Sequence, residues 1–196
     1  MGNRLKKLLK AAAIENQGLR TGYRLKISLV DSDPPIWRSV DLAGNYELRE
    51  LHMMIQDMMG WQDQYAHEFR LGKEKYRNPD HVPETDTATF DDEVMLTVLA
   101  LRKGSRITYE YFFDEGSWLF DIAVDNVFPI ESPDTFEPKF DGDGASPPEE
   151  CGGIGEYYSM LKSFKDKACQ HHKDAVESLG KTFDPSVWPD KATFCS

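Results

Sequence analysis

From Tyr23 to Leu29 the chain alternates apolar and polar residues strictly, which is the mark of a strand with one face in a core. Asp31-Ser32-Asp33-Pro34-Pro35 then supplies turn chemistry, and Ile36-Trp37-Arg38-Ser39-Val40 resumes an extended pattern, so the two runs predict an antiparallel hairpin. The period next changes from two to about 3.6: Leu48, Leu51, Ile55 and Met58 share one stripe of a helix, with Asn45 as its N-cap and Gly60 as its stop. Ala66 to Leu71 reads as a third strand, followed from Gly72 to Asp92 by a polar excursion over the surface. Val94 to Leu101, preceded by Asp91, Asp92 and Glu93 where a helix start favours acids, predicts a short helix, with its β-branched residues leaving a strand open. Ile107 to Phe113 and Trp118 to Phe128 predict two strands across an Asp114-Glu115-Gly116-Ser117 turn.

Beyond Pro129 the pattern loosens. Residues 129–144 are rich in Pro, Asp and Glu and read as a loop along one edge, after which Ser146 is placed to cap a turn beginning at Pro147 and Pro148. Tyr157, Met160, Leu161, Phe164 and Ala168 keep helical spacing, Ala175, Val176 and Leu179 continue it, and Phe183 to Trp188 closes the unit. The expected fold is therefore one α+β domain, a β-grasp-like mixed or antiparallel sheet packed against helices with a C-terminal helical part. Its bounds are residues 21–190, with a basic helical extension over 1–20 and a tail over 191–196. A length of 196 residues suits such a domain, and 40% hydrophobic with 12% aromatic content excludes intrinsic disorder.

Charge changes the picture of partners. Residues 1–26 hold seven Lys and Arg against Glu15 alone, a net of +6, whereas the chain as a whole carries −11. Twelve carboxylates and only Lys139 lie between Glu110 and Glu150, a surface that repels phosphate backbones, so direct nucleic-acid binding is disfavoured except through residues 1–26. No run of eighteen apolar residues and no secretory leader pattern occurs, so a cytoplasmic protein without membrane contact is expected. Cys151, Cys169 and Cys195 form no close pair and are read as free thiols.

Motifs for chemistry are mostly missing: the sequence has no Gly-x-Ser-x-Gly elbow, no phosphate-cradling Gly-rich loop, and no second histidine to complete a zinc helix after His67-Glu68. Cys169-Gln170-His171-His172 lacks the spacing of a closed zinc site. Asp141-Gly142-Asp143-Gly144 is similar to part of a calcium loop, but Gly152 stands where the bidentate glutamate belongs, which excludes an EF-hand. Asp141 and Asp143 remain as loose Mg or Ca candidates; no metal and no cofactor is otherwise expected. Arg38, His52, His67, Tyr109, Tyr111, Trp118, Glu149 and Glu150 are the candidate ligand- or partner-binding residues, since aromatic walls with a few polar groups describe most pockets. The packing alternative makes Trp37 and Trp61 core or rim residues, Arg38 a structural cation held by a carboxylate such as Glu149 or Glu150, and His52 a helix histidine bonded to backbone.

Taken in order, Pro34 to Arg38, Leu51-His52, Gly60-Trp61, His67-Glu68-Phe69, Pro147 to Gly153 with Gly155-Glu156-Tyr157, and Phe183-Asp184-Pro185 resemble the motifs of the plasmid pRiA4b ORF-3-like family over roughly Gly22 to Trp188. That family, found on plasmids and as passengers of insertion elements, has no established reaction. In one stretch the chain departs from it: where members carry an Asp after Tyr-x-Tyr and a His two residues past the Trp, this chain has Phe112 and Phe120. The departure implies that part of any polar family site is replaced by an apolar patch.

Two functional readings follow. The preferred one is a binding or adaptor module without catalysis, engaging a protein partner through the sheet edge, the Phe112/Phe113/Phe120 patch or the acidic loop. The alternative is a metal- or small-ligand-dependent enzyme using His52, His67, Arg38 and Glu149.

Overall fold

The computed structural model describes residues 20–78, 89–113 and 116–188. The expected N-terminal extension, the tip of the polar excursion, the Asp114-Glu115 turn and the tail lie outside these residues. Eight strands form one sheet: β1 (Thr21–Leu29), β2 (Trp37–Ala43), β3 (His67–Leu71), β4 (Glu74–Arg77), β5 (Thr89–Phe90), β6 (Arg106–Phe113), β7 (Gly116–Pro129) and β8 (Lys139–Asp143). The order across it is β5-β4-β3-β6-β7-β1-β2-β8, antiparallel throughout except for the parallel β4–β5 pair. Among the described residues three helices accompany it, α1 (Leu48–Met59), α2 (Ile154–Lys165) and α3 (His172–Leu179). The α+β class and the C-terminal helices are thus as the sequence implies; the strand order itself defines the sheet, and nothing in it singles out a β-grasp.

Period-two patterning decides which face is core. Tyr23, Leu25, Ile27 and Leu29 of β1, Val40 and Leu42 of β2, Ile107, Tyr109 and Tyr111 of β6, and Trp118, Phe120, Ile122 and Val124 of β7 are buried in one cluster with Leu48, Leu51, Ile55 and Met58 of α1. The opposite face is polar and held by cross-strand pairs. Arg24 donates Nε and Nη2 to the two Asp41 oxygens, each at 2.7 Å. Glu68 and Glu110 stand directly opposite each other on β3 and β6, a repulsive pairing that Arg70 relieves by bonding both.

Several boundaries differ from those the sequence predicts. Helix α1 starts after Glu47, not Asn45, because Tyr46 and Glu47 are held in an extended link: Leu96 N–H donates to the Tyr46 carbonyl and Leu48 N–H to the Val94 carbonyl. Glu50 accepts from the Glu47 N–H at 2.8 Å, satisfying one end donor. Gly60 ends the helix as expected, left-handed at φ 70°. The predicted helix over Val94 to Leu101 is an extended pair of residues followed by a 3₁₀ turn, Leu96–Leu99. The excursion after Gly72 contains β4 and β5, and the acidic loop after Pro129 contains β8, which pairs with β2 from Trp37↔Asp143 to Asp41↔Lys139. Ser146 does not cap the turn at Pro147; its hydroxyl accepts from Arg38.

Arg38 occupies an inner-face position of β2 at 1% exposure. Its Nε donates to the Met58 carbonyl at the end of α1, Nη1 to the carbonyls of Trp37 and Asp143, and Nη2 to Ser146 Oγ, while the Trp188 ring lies 4.4 Å from the guanidinium. The expected carboxylate support from Glu149 and Glu150 is not used, since those side chains bond Tyr111, Gln62 and Tyr65. Gly142 on β8 leaves the room: a Cβ there would stand 2.8 Å from Arg38 Cδ, from the Trp188 ring and from the Trp37 carbonyl. Gly142→Ala is therefore expected to lower stability by about 1–3 kcal/mol through overpacking. Gly155→Ala, in helix α2 where a Cβ meets nothing within 4 Å, should hold or raise it by up to about 1 kcal/mol; urea unfolding of both variants checks the contrast.

Candidate functional site

Two histidines from separate elements meet under the sheet. Helix α1 places His52 on its buried stripe, four residues before Gln56, and the first residue of β3 is His67. Their rings stack with centroids 3.6 Å apart and planes 12° apart, and neither side chain has exposed surface. Each ring is oriented by a second group. His52 Nδ1 lies 2.8 Å from Tyr109 Oη, which also accepts from Gln56 Nε2 at 3.1 Å, and His52 Nε2 lies 2.7 Å from Asp63 Oδ1. His67 Nε2 lies 2.6 Å from Asp91 Oδ2, and Arg49 donates to Asp91 Oδ1 at 3.3 Å and to Asn78 Oδ1 at 2.7 Å. His67 Nδ1 is buried without a hydrogen-bond partner.

Local backbone chemistry explains how Asp63 reaches the ring. The chain leaves the Gly60 cap through Trp61 and Gln62 and turns at Asp63, whose φ of 52° is left-handed, a conformation that Asp tolerates better than most residues. Its N–H donates to Gln56 Oε1 at 3.2 Å, so Gln56 binds both the turn and Tyr109. The loop is clasped from the far side: Gln64 and Tyr65 N–H groups donate to Tyr111 Oη, Tyr111 donates to Glu149 Oε1 at 2.5 Å, and Gln62 N–H donates to Glu149 Oε2 at 2.8 Å. Asp63 reaches water, its side chain 28% exposed, whereas the two imidazoles and Asp91 have no exposed side-chain surface.

The electrostatics follow from enclosure. Burial, with the neighbouring His67 ring second, pulls the His52 pKa down to about 4 despite Asp63. The neutral ring therefore donates Nε2–H to Asp63 and accepts from the Tyr109 hydroxyl, whose own pKa burial pushes well up. Burial alone would raise Asp91, but His67 and Arg49 outweigh it and hold the carboxyl below its ordinary value.

Of the residues singled out from sequence, the structure brings His52, His67 and Tyr109 together. Tyr111, Trp118, Glu149 and Glu150 form the clasp around the 61–66 loop, Trp118 donating Nε1–H to the Glu149 carbonyl at 2.9 Å and Tyr65 donating to Glu150 at 2.9 Å. Arg38 belongs to the β2–β8 junction, and Asp141 and Asp143 lie exposed on the outer face of β8. The Phe patch does not exist as expected: Phe120 is buried against Trp61 and Tyr109, at centroid distances of 5.8 and 5.7 Å, while Phe112 sits on the opposite face beside Ser117. Position 120 is thus one ring removed from the histidines. Cys169 and His172 both turn to Ser163. Sequence reasoning missed Asp63, Asp91, Gln56 and Arg49; the one legible signal was the four-residue spacing of His52 and Gln56 on a helix face.

A one-sided sheet with a buried pair of histidines and their carboxylate partners beneath it defines the class, and comparison places it. The plasmid pRiA4b ORF-3-like protein family matches residues 21–191, and the chain belongs to that family. It is 27% identical over 163 residues, 81% of each chain, to the uncharacterized protein y4hQ of Sinorhizobium fredii. It also resembles the crystal structure of a protein of unknown function, MM3350 from Methanosarcina mazei Go1, at 27% identity and a TM-score of 0.76, covering 90% of this chain and 98% of that one. Among the described residues no helix is long and apolar enough to cross a membrane.

Because the folded state resists protonating His52 while an unfolded histidine titrates near 6.5, the unfolded chain binds more protons between pH 6.5 and about 4. Stability should therefore fall on acidification through that window, on the order of 2 kcal/mol from this residue by pH 4.5. Thermal melts from pH 7.5 to 4.5 should show that slope, and His52→Gln should flatten it while lowering stability at neutral pH.

Proposed function

We propose that this protein is a non-catalytic interaction module that receives a protein partner on the outer face of its sheet, at the β1–β2–β8 end. One observation carries the reading: Trp37 stands on that polar face and not in the core, within a groove of about 370 Å³ lined also by Arg24, Lys26, Ser39, Asp41, Lys139 and Asp141. Lys26 Nζ lies over its ring, 4.9 Å from the centroid. A rigid aromatic with charges of both signs around it suits a protein surface, because the ring offers desolvation at low entropy cost and the charges set orientation. The acidic segment expected to contact a partner contributes here by folding into β8 and lining this groove.

The catalytic alternative requires His52, His67, Arg38 and Glu149 to act together. Both imidazoles are sealed, Arg38 is bound by carbonyls at another junction, and Glu149 is a clasp for the 61–66 loop. A substrate meets none of this quartet as a set. Affinity capture from the native host with the wild-type chain should retain a partner that Trp37→Ala loses, with unchanged circular dichroism. Equal recovery by the variant and the wild type would refute the groove as the docking site.

A further inference from the structure

We infer that His52, Asp63 and His67 form a binding site for one divalent first-row transition-metal ion of the zinc type. One ligand-type atom from each of the three residues lies within 4.8 Å of the other two, and since bonds near 2 Å hold tetrahedral ligands about 3.4 Å apart, the three side chains close in on the ion by a small shift as it binds. Two imidazoles and a carboxylate select this class of metal over Ca²⁺ and Mg²⁺, which prefer all-oxygen shells. The inference does not rest on the partner groove, which lies on the other face of the sheet.

The stronger argument is the outer layer of bonds. A metal-binding histidine characteristically uses one nitrogen for the ion and gives the other to a carboxylate or hydroxyl that fixes its orientation. His67 gives Nε2 to Asp91, itself held by Arg49, and its Nδ1 is left buried and unpartnered. His52 Nδ1 is held by Tyr109, itself held by Gln56, and its Nε2 faces Asp63; on metal binding the ring proton moves from Nε2 to Nδ1, which then donates to Tyr109 Oη and leaves the Nε2 lone pair for the ion. An orphaned imidazole nitrogen in a core costs free energy in any purely structural account, because burial removes the water that would satisfy it. As a ligand atom it has a reason to be there. A bound ion tilts one ring out of the 12° stack so that the two lone pairs converge, and the partly exposed Asp63 gives both the access route and the position where water completes a four-coordinate shell.

The test uses the full chain, stripped with a chelator and titrated with Zn²⁺ and with Co²⁺ by calorimetry and visible absorption. One ion per chain is expected, with cobalt bands of a low-coordinate nitrogen–oxygen site and a rise in melting temperature. Asp63→Asn, at the exposed position least apt to disturb the fold, should weaken Zn²⁺ binding at least tenfold, and Asp91→Asn, which keeps all three ligands, by 10- to 100-fold. His67→Gln should abolish it. No stoichiometric binding by the wild type, binding indifferent to Asp63→Asn and Asp91→Asn, or binding lost instead in an Asp141→Asn/Asp143→Asn double variant would overturn the assignment, as would equal affinity for Mg²⁺ or Ca²⁺.

Discussion

Arg38 holds an inward position of β2 where its neighbours along the strand, Val40 and Leu42, are apolar. Enclosing a guanidinium is costly unless its donors find acceptors, and here the acceptors come from four places: the end of α1, the strand itself, β8 and Ser146. The need to satisfy one cation thus fixes how the helix ends, how the last strand docks and where the chain turns towards Pro147. Trp188 closes the arrangement by lying over the guanidinium, which secures the end of the described chain to the sheet. Substituting an apolar residue would remove the charge and also leave carbonyls from three elements without their donor.

From that junction the chain runs straight into the clasp around the histidines. Residues 147–150 are gripped by the polar tips of aromatic side chains: from the core the Trp61 indole donates to the Pro147 carbonyl, the Trp118 indole to the Glu149 carbonyl and Tyr111 to the Glu149 carboxylate, and the half-buried Tyr65 donates to the Glu150 carboxylate. Aromatic residues serve both purposes because a large apolar ring can be buried while its N–H or O–H reaches a partner at the boundary. The result is a chain of mutual support in which the loop bearing Asp63 is held from one side by Gln56 and Tyr111 and from the other by a segment distant in sequence. Such support is what keeps functional side chains at fixed geometry in a site built partly on a loop.

Strands β1, β2, β3, β6 and β7 and helix α1 were legible because their apolar periods are long and their ends carry turn or cap residues, as at Pro34 and Gly60. Strand β8 was not, because Lys-Phe-Asp-Gly-Asp is a surface composition; it becomes a strand by pairing with β2, and Gly142 lets it lie close against Arg38 and Trp188. The N-cap was misplaced because the 94–96 segment pairs with Tyr46 and Glu47, a long-range contact no local pattern records. His52 and His67 were noticed as residue types, yet Asp63 and Asp91 were not joined to them, since α1, the turn at Asp63, β3 and a short 3₁₀ turn at Asp91–Glu93 meet only in three dimensions. The Phe112–Phe120 patch failed for a simpler reason: alternation along paired strands sends the two rings to opposite faces.

The clasp also sets a sequence of events. Gln62 and Glu149 are 87 positions apart, and a chain leaves the ribosome with its N-terminal part first. When α1, β3, β6 and β7 are already available to pair, the turn at Asp63 still lacks the carboxylates that hold it, and it gains them only as residues 147–150 emerge. The histidine centre is therefore completed only after residues 147–150 have emerged and folded back onto the loop.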